Sequence, residues 1–77
     1  MKVKYIGKGG FLDTPVYEDE KGKLYFDENN GYRELSLYTG AYRDEYGEIW
    51  GEPCNAVKEP IECENPYKVH PRCGDYM

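Results

Sequence analysis

The chain has 77 residues, a formal net charge of −5 and nine tyrosines. This length leaves room for one domain with a thin core. Surplus carboxylates repel phosphate, and no stretch is long and apolar enough for a membrane span or a signal-peptide core. The sequence therefore argues against direct nucleic-acid binding and membrane insertion, and a bacterial cytoplasmic location is expected.

Leu, Ile, Val and Phe make up only about 17% of the chain, which borders on the composition of disordered segments. Tyr and Trp add rings that can be half buried, so a folded domain with a partly aromatic core is expected. Residues 2–7 alternate, with Val3 and Tyr5 on one face, and predict a strand broken by Gly7, Gly9 and Gly10. Phe11 and Leu12 follow as loop anchors. Residues 16–20 and 23–27 flank Glu20-Lys21-Gly22 as a hairpin. Asn29-Asn30-Gly31 is a second hairpin signal, because Asn and Gly tolerate the positive φ of tight turns. Residues 32–39 then predict a strand, with Leu35 and Leu37 on one face and Tyr32, Glu34, Ser36 and Tyr38 on the other; Gly40 interrupts it. Residues 41–44 and 48–52 flank Glu45-Tyr46-Gly47 as a third hairpin.

No window carries a sustained helical period, and no internal repeat is expected. The predicted fold is mainly β: a small antiparallel meander of four to five strands. It is one domain, with residues 1–52 as a sheet of hairpins and 53–77 as an extended, Pro/Cys-rich tail packed on it. Proline removes ladder donors, so the tail is no central strand. The expected core is Val3, Tyr5, Leu12, Val16, Leu24, Phe26, Leu35, Leu37, Ile49 and Val57, with Ile61 pinning the tail.

Three groups of residues could carry function. Cys54, Cys63, His70 and Cys73 form a Cys3His set that suits a four-coordinate structural zinc. The opposing reading is three reduced thiols and a surface histidine, since the usual close pair of cysteines is missing. Acidic residues gather at the hairpins: Glu18, Asp19, Glu20, Asp27 and Glu28 at one, and Asp44, Glu45, Glu48 and Glu52 at the other. They could imitate backbone phosphates and occupy a basic groove, or they could serve solubility and edge protection. Finally, if Leu24, Phe26, Leu35 and Leu37 point inward, Tyr25, Tyr32 and Tyr38 point outward as an aromatic face. Tyrosine is enriched at protein interfaces, so this face predicts protein contact, with Trp50 as a further anchor; self-association as a homodimer is the alternative use.

Several phrases of the chain resemble a known family. They are Lys4-Tyr5-Ile6-Gly7, Leu24-Tyr25-Phe26-Asp27-Glu28-Asn29-Asn30-Gly31, Gly51-Glu52-Pro53-Cys54-Asn55-Ala56-Val57, Asn65-Pro66-Tyr67, His70-Pro71-Arg72 and Asp75-Tyr76-Met77. They look like small accessory proteins of bacterial conjugative elements and prophages, of the large polyvalent protein-associated kind. The resemblance implies a mobile-element accessory protein in a short, stand-alone version. It also implies a role in blocking host defence nucleases, as anti-CRISPR proteins do.

Together these readings predict a non-enzymatic binder that inhibits a nucleic-acid-handling host protein such as a CRISPR effector. Its partner contacts would come from Glu18, Glu20, Tyr25, Asp27, Glu28, Tyr32, Tyr38, Asp44, Glu45 and Trp50. A zinc-stapled module of a larger assembly is the competing class. A small hydrolase using Cys or paired carboxylates is the residual one.

Overall fold

The computed structural model describes residues 1–69. These residues form five strands and no helix: β1 (Val3–Gly9), β2 (Thr14–Asp19), β3 (Leu24–Asp27), β4 (Leu37–Arg43) and β5 (Ile49–Gly51). They make one antiparallel meander in the order β1-β2-β3-β4-β5, as the hairpin signals predicted.

Two bulges curl this sheet. Between Tyr5 and Gly7, β1 spends two steps where β2 spends one, and Gly7 supplies the positive φ of 121°. Between Phe26 and Leu24, β4 spends three steps against two, around Gly40 at φ 115°. Bulges strengthen local twist and bend a strand. Gly40 therefore lies inside β4 and bends it, where the sequence predicted an interruption. The curl brings the β1–β2 turn onto β5: the Gly10 and Phe11 N–H groups donate to the carbonyls of Ile49 and Gly51, each at 3.0 Å.

The sheet buries apolar side chains on both faces. One cluster is Val16, Leu24 and Phe26, with Ile6, Ala41 and Ile49 against it, enclosed by the curl itself. The other is Val3, Tyr17, Tyr25 and Leu37, and it packs against Met1, Tyr5, Leu35, Val57, Ile61 and Cys63. Tail residues thus cover the second face. The tail is held by backbone pairing at both ends. Cys54 and Val57 donate to Thr39 and Leu37, and Glu62 both donates to Met1 and accepts from Val3. Ile61 pins it as expected.

Four expectations need correction. Leu12 is exposed and belongs to no core cluster. Residues 32–36 are loop, and the fourth strand begins at Leu37. The cause is Asp27, which is fully buried. Its carboxylate accepts the N–H groups of Asn29 (3.0 Å), Gly31 (3.2 Å) and Ser36 (3.1 Å), organising residues 28–36 into a capped loop instead of a tight hairpin.

The chain also holds an internal repeat. Residues 14–25 and 39–50 share Thr14/Thr39, Tyr17/Tyr42, Asp19/Asp44, Glu20/Glu45 and Gly22/Gly47 at a constant offset. The two hairpins even keep the same register. Tyr17 pairs Tyr25 as Tyr42 pairs Trp50, and Glu18 pairs Leu24 as Arg43 pairs Ile49. The signal was present in the sequence; it hides because the intervening residues differ in charge and size. The fourth correction, to Tyr25, belongs to the site.

Candidate functional site

Each copy of the repeat closes on the same turn. In the first, Asp19 Oδ1 accepts the N–H groups of Lys21 and Lys23, both at 2.9 Å, and Oδ2 accepts the Tyr25 hydroxyl at 3.0 Å. In the second, Asp44 Oδ1 accepts from Tyr46 and Glu48, both at 2.9 Å, and Oδ2 accepts the Trp50 indole N–H at 2.8 Å. Gly22 (φ 89°) and Gly47 (φ 84°) supply the left-handed position that lets each turn close. These bonds favour the charged carboxylate. The Lys23 N–H foremost holds Asp19 below the ordinary carboxylate range, and the Trp50 indole does the same for Asp44. Asp19 and Asp44 are thus turn-building residues, and Asp44 also fixes the orientation of Trp50.

The fates of the paired rings differ between the copies. Tyr17 and Tyr25 are 0% and 4% exposed, whereas Tyr42 and Trp50 are 54% and 37% exposed. Tyr17 lies 5.5 Å from the Tyr5 ring, and Tyr67 stacks on Tyr5 at 5.1 Å. The Tyr67 N–H donates to the Tyr17 hydroxyl at 2.7 Å. Burial pushes both Tyr17 and Tyr25 up to about 12. Tyr25 is therefore a core residue, and the expected outward face of Tyr25, Tyr32 and Tyr38 does not form. Tyr32 is exposed in the loop 28–36, and Tyr38 is half-buried, with its backbone bridged to Ala56. A sequence signal for this existed. Val16-Tyr17 and Leu24-Tyr25-Phe26 put large apolar groups on both sides of the strand, which is the pattern of a strand buried on both faces.

A different set of rings is exposed together. Tyr42 and Trp50 stand directly opposite each other on β4 and β5 and so share a face. Phe11, 62% exposed, packs beside Trp50 with ring centroids 6.1 Å apart, and Leu12 is exposed next to it. Tyr46 extends from the tip of the β4–β5 turn. Gly40 and Gly51 permit this arrangement. A Cβ on Gly40 would overlap the Glu52 carbonyl, and one on Gly51 would overlap the Gly40 carbonyl. Around these rings acids outnumber bases: residues 44–52 hold Asp44, Glu45, Glu48 and Glu52 and no base, and Asp13 adjoins Leu12, while Arg43 beside Tyr42 is exposed and Lys8 borders Trp50. Of the rings in this patch, Trp50 was anticipated as a contact residue, while Phe11 and Tyr42 were not.

The other expected acids are dispersed. Glu20, Glu28 and Glu45 are exposed. Glu18 is half-buried and ion-pairs with Arg43 at 3.6 Å. Asp27 is buried and committed to its loop, so it cannot present a carboxylate to a partner. By topology, Asp27 and Glu28 follow the far end of β3 from the Glu20 turn, so the first acidic group does not form one cluster.

Of the expected zinc ligands, Cys54 is exposed and its thiol lies 3.5 Å from the Glu52 carbonyl. Cys63 is half-buried against the Val3 cluster. His70 and Cys73 lie outside the described residues. Among the described residues no three His, Cys, Asp or Glu side chains gather as a metal site, and no helix is long and apolar enough to cross a membrane.

Rings bordered by carboxylates form a surface for cationic side chains with apolar flanks, through ring contact, cation–π attraction and ion pairing. No protein-family model matches the chain, and no curated protein or solved structure matches it either.

Proposed function

We propose that this chain is a non-enzymatic protein binder that occupies a basic surface of its partner. In its most concrete form it is a mobile-element inhibitor acting in the bacterial cytoplasm. It blocks a nucleic-acid-handling defence protein, such as a CRISPR effector, by covering the groove that holds the nucleic acid. The observation that supports this reading best is the exposed Phe11–Trp50–Tyr42 cluster within an acidic border. Aromatic anchors at the centre of a contact supply most of its affinity, and complementary charge supplies orientation and on-rate.

The test is direct. The immobilised chain should retain a nucleic-acid-binding protein from bacterial lysate, identified by mass spectrometry. The purified pair should then show competition between the chain and DNA or RNA for that protein. Retention of no such protein, or nucleic-acid binding that is unaffected by saturating chain, overturns the reading.

A further inference from the structure

The two hairpins are copies of one pattern, so the first shows how the second can be covered. In the first copy the Tyr17–Tyr25 pair lies under an extended segment, residues 57–67, which sets Val57, Ile61 and Cys63 against that cluster and brings Tyr67 to the Tyr17 hydroxyl. The covering segment is acidic: Glu59, Glu62 and Glu64 outnumber Lys58. Lys2, Lys4 and Lys21 line an open groove together with Glu18, Asp19 and Glu20, and Glu62 and Glu64 line it too. Apolar side chains thus meet the ring pair, and side chains of both charges border it.

In the second copy the equivalent ring pair, Tyr42–Trp50, is exposed, and the turn beside it carries acids without lysines. Lys21 and Lys23 of the first turn are replaced by Tyr46 and Glu48. Glu45, Glu48 and Glu52 are exposed around it. The structure thus repeats a ring pair, removes the lysines from its turn and leaves it uncovered.

We propose that the Phe11–Tyr42–Trp50 face is a docking site for an extended, basic segment of a partner protein. That segment alternates apolar side chains, which lie on the rings, with Arg or Lys side chains, which meet Glu45, Glu48 and Glu52. Arginine is the better fit because its planar guanidinium both stacks on rings and pairs with carboxylates. The inference rests on the binder reading and specifies which face binds and what chemistry it takes.

Trp50 is the chain's single tryptophan, so the site carries its own reporter. The probe is a synthetic peptide of alternating Arg and Val, titrated into the full chain while Trp50 emission is followed. The expected result is saturable binding with a blue shift of Trp50. Affinity should fall as salt rises, because exposed charge pairs are screened beyond about 8 Å at physiological ionic strength. A Glu-Val peptide of equal length should not bind. Tyr42→Ser should weaken the Arg-Val peptide by about tenfold or more, as loss of a central aromatic contact does. Glu45→Lys with Glu48→Lys should do so without touching a ring, and a circular dichroism melt checks that each variant folds.

Three results overturn the proposal. One is equal binding of the Arg-Val and Glu-Val peptides. Another is Arg-Val binding that is indifferent to both variants. The third is a concentration-dependent Trp50 shift without peptide, accompanied by a dimer in sedimentation, which assigns the face to a second copy of the chain. The two readings fail separately. A captured nucleic-acid-binding protein whose affinity survives Tyr42→Ser keeps the binder and removes this face. Peptide binding at the face with no such captured protein keeps the face and removes the inhibitor.

Discussion

Replacing Asp27 with Ala should cost more stability than any other single change of a charged residue in this chain. The sequence read Asp27 as a surface acid; the structure buries it completely and gives its carboxylate three backbone N–H donors, from Asn29, Gly31 and Ser36. A hydrogen bond to a charged group contributes about 1.5–3 kcal/mol net. The Asn29 and Ser36 donors are only partly enclosed, so water recovers some of their loss when the carboxylate is removed; only the Gly31 bond is fully buried. A net cost of about 4 kcal/mol results. A domain of this length has a total stability of about 4–12 kcal/mol.

Urea unfolding followed by Trp50 emission measures this. With a slope of about 1–1.5 kcal/mol/M, typical of a small domain, the midpoint should fall by about 3 M. If Asp27→Ala does not fold, Asp27→Asn still reports. Its Oδ1 keeps Asn29 and Ser36, but its amide sets donor against donor at Gly31, for a loss of about 2 kcal/mol. Neighbouring Glu28 is exposed, and Glu28→Ala should stay within about 0.5 kcal/mol. Equal midpoints for the Asp27 and Glu28 variants would refute the reasoning and return Asp27 to the surface.

Three further outcomes are expected. Tyr25→Ser should lower stability by about 3–5 kcal/mol, as loss of a buried ring does. Tyr32→Ser should leave thermal unfolding nearly unchanged, and a reversed ranking in a melting experiment would restore the outward tyrosine face. Tyr17 and Tyr25 are pushed up to about 12 by burial. A raised folded-state pKa means that their contribution is complete below the unfolded value of about 10 and is lost as pH rises through about 12. Tyrosinate absorbance should therefore show a late-titrating class and unfolding in that window, whereas all the tyrosines titrating as one class near about 10 would contradict it. The Cys54, Cys63, His70 and Cys73 set requires about one zinc per chain by elemental analysis after chelator-free purification. Freely titratable thiols in metal-free protein would remove that proposal.

The all-strand fold and two of its hairpins were legible because their turns are local chemistry. An Asp followed by a Gly three residues later closes the same turn at residues 19–22 and 44–47, whatever surrounds it. Strand alternation likewise located the Val16, Leu24 and Phe26 cluster. Asn29-Asn30-Gly31 misled because turn propensity cannot weigh a carboxylate that gathers donors from residue 29 to residue 36. The sharper failure was at the site. Tyr17-Tyr25 and Tyr42-Trp50 occupy equivalent places in equivalent hairpins, and the apolar run Leu24-Tyr25-Phe26 hints which pair is buried without naming what covers it. That is decided by residues 57–67, which cross the first pair and not the second. Local sequence determines turn, register and the side of the strand on which a ring stands. Whether that side is wet depends on a segment distant in the chain, because burial is a property of what packs against a surface and not of the surface itself.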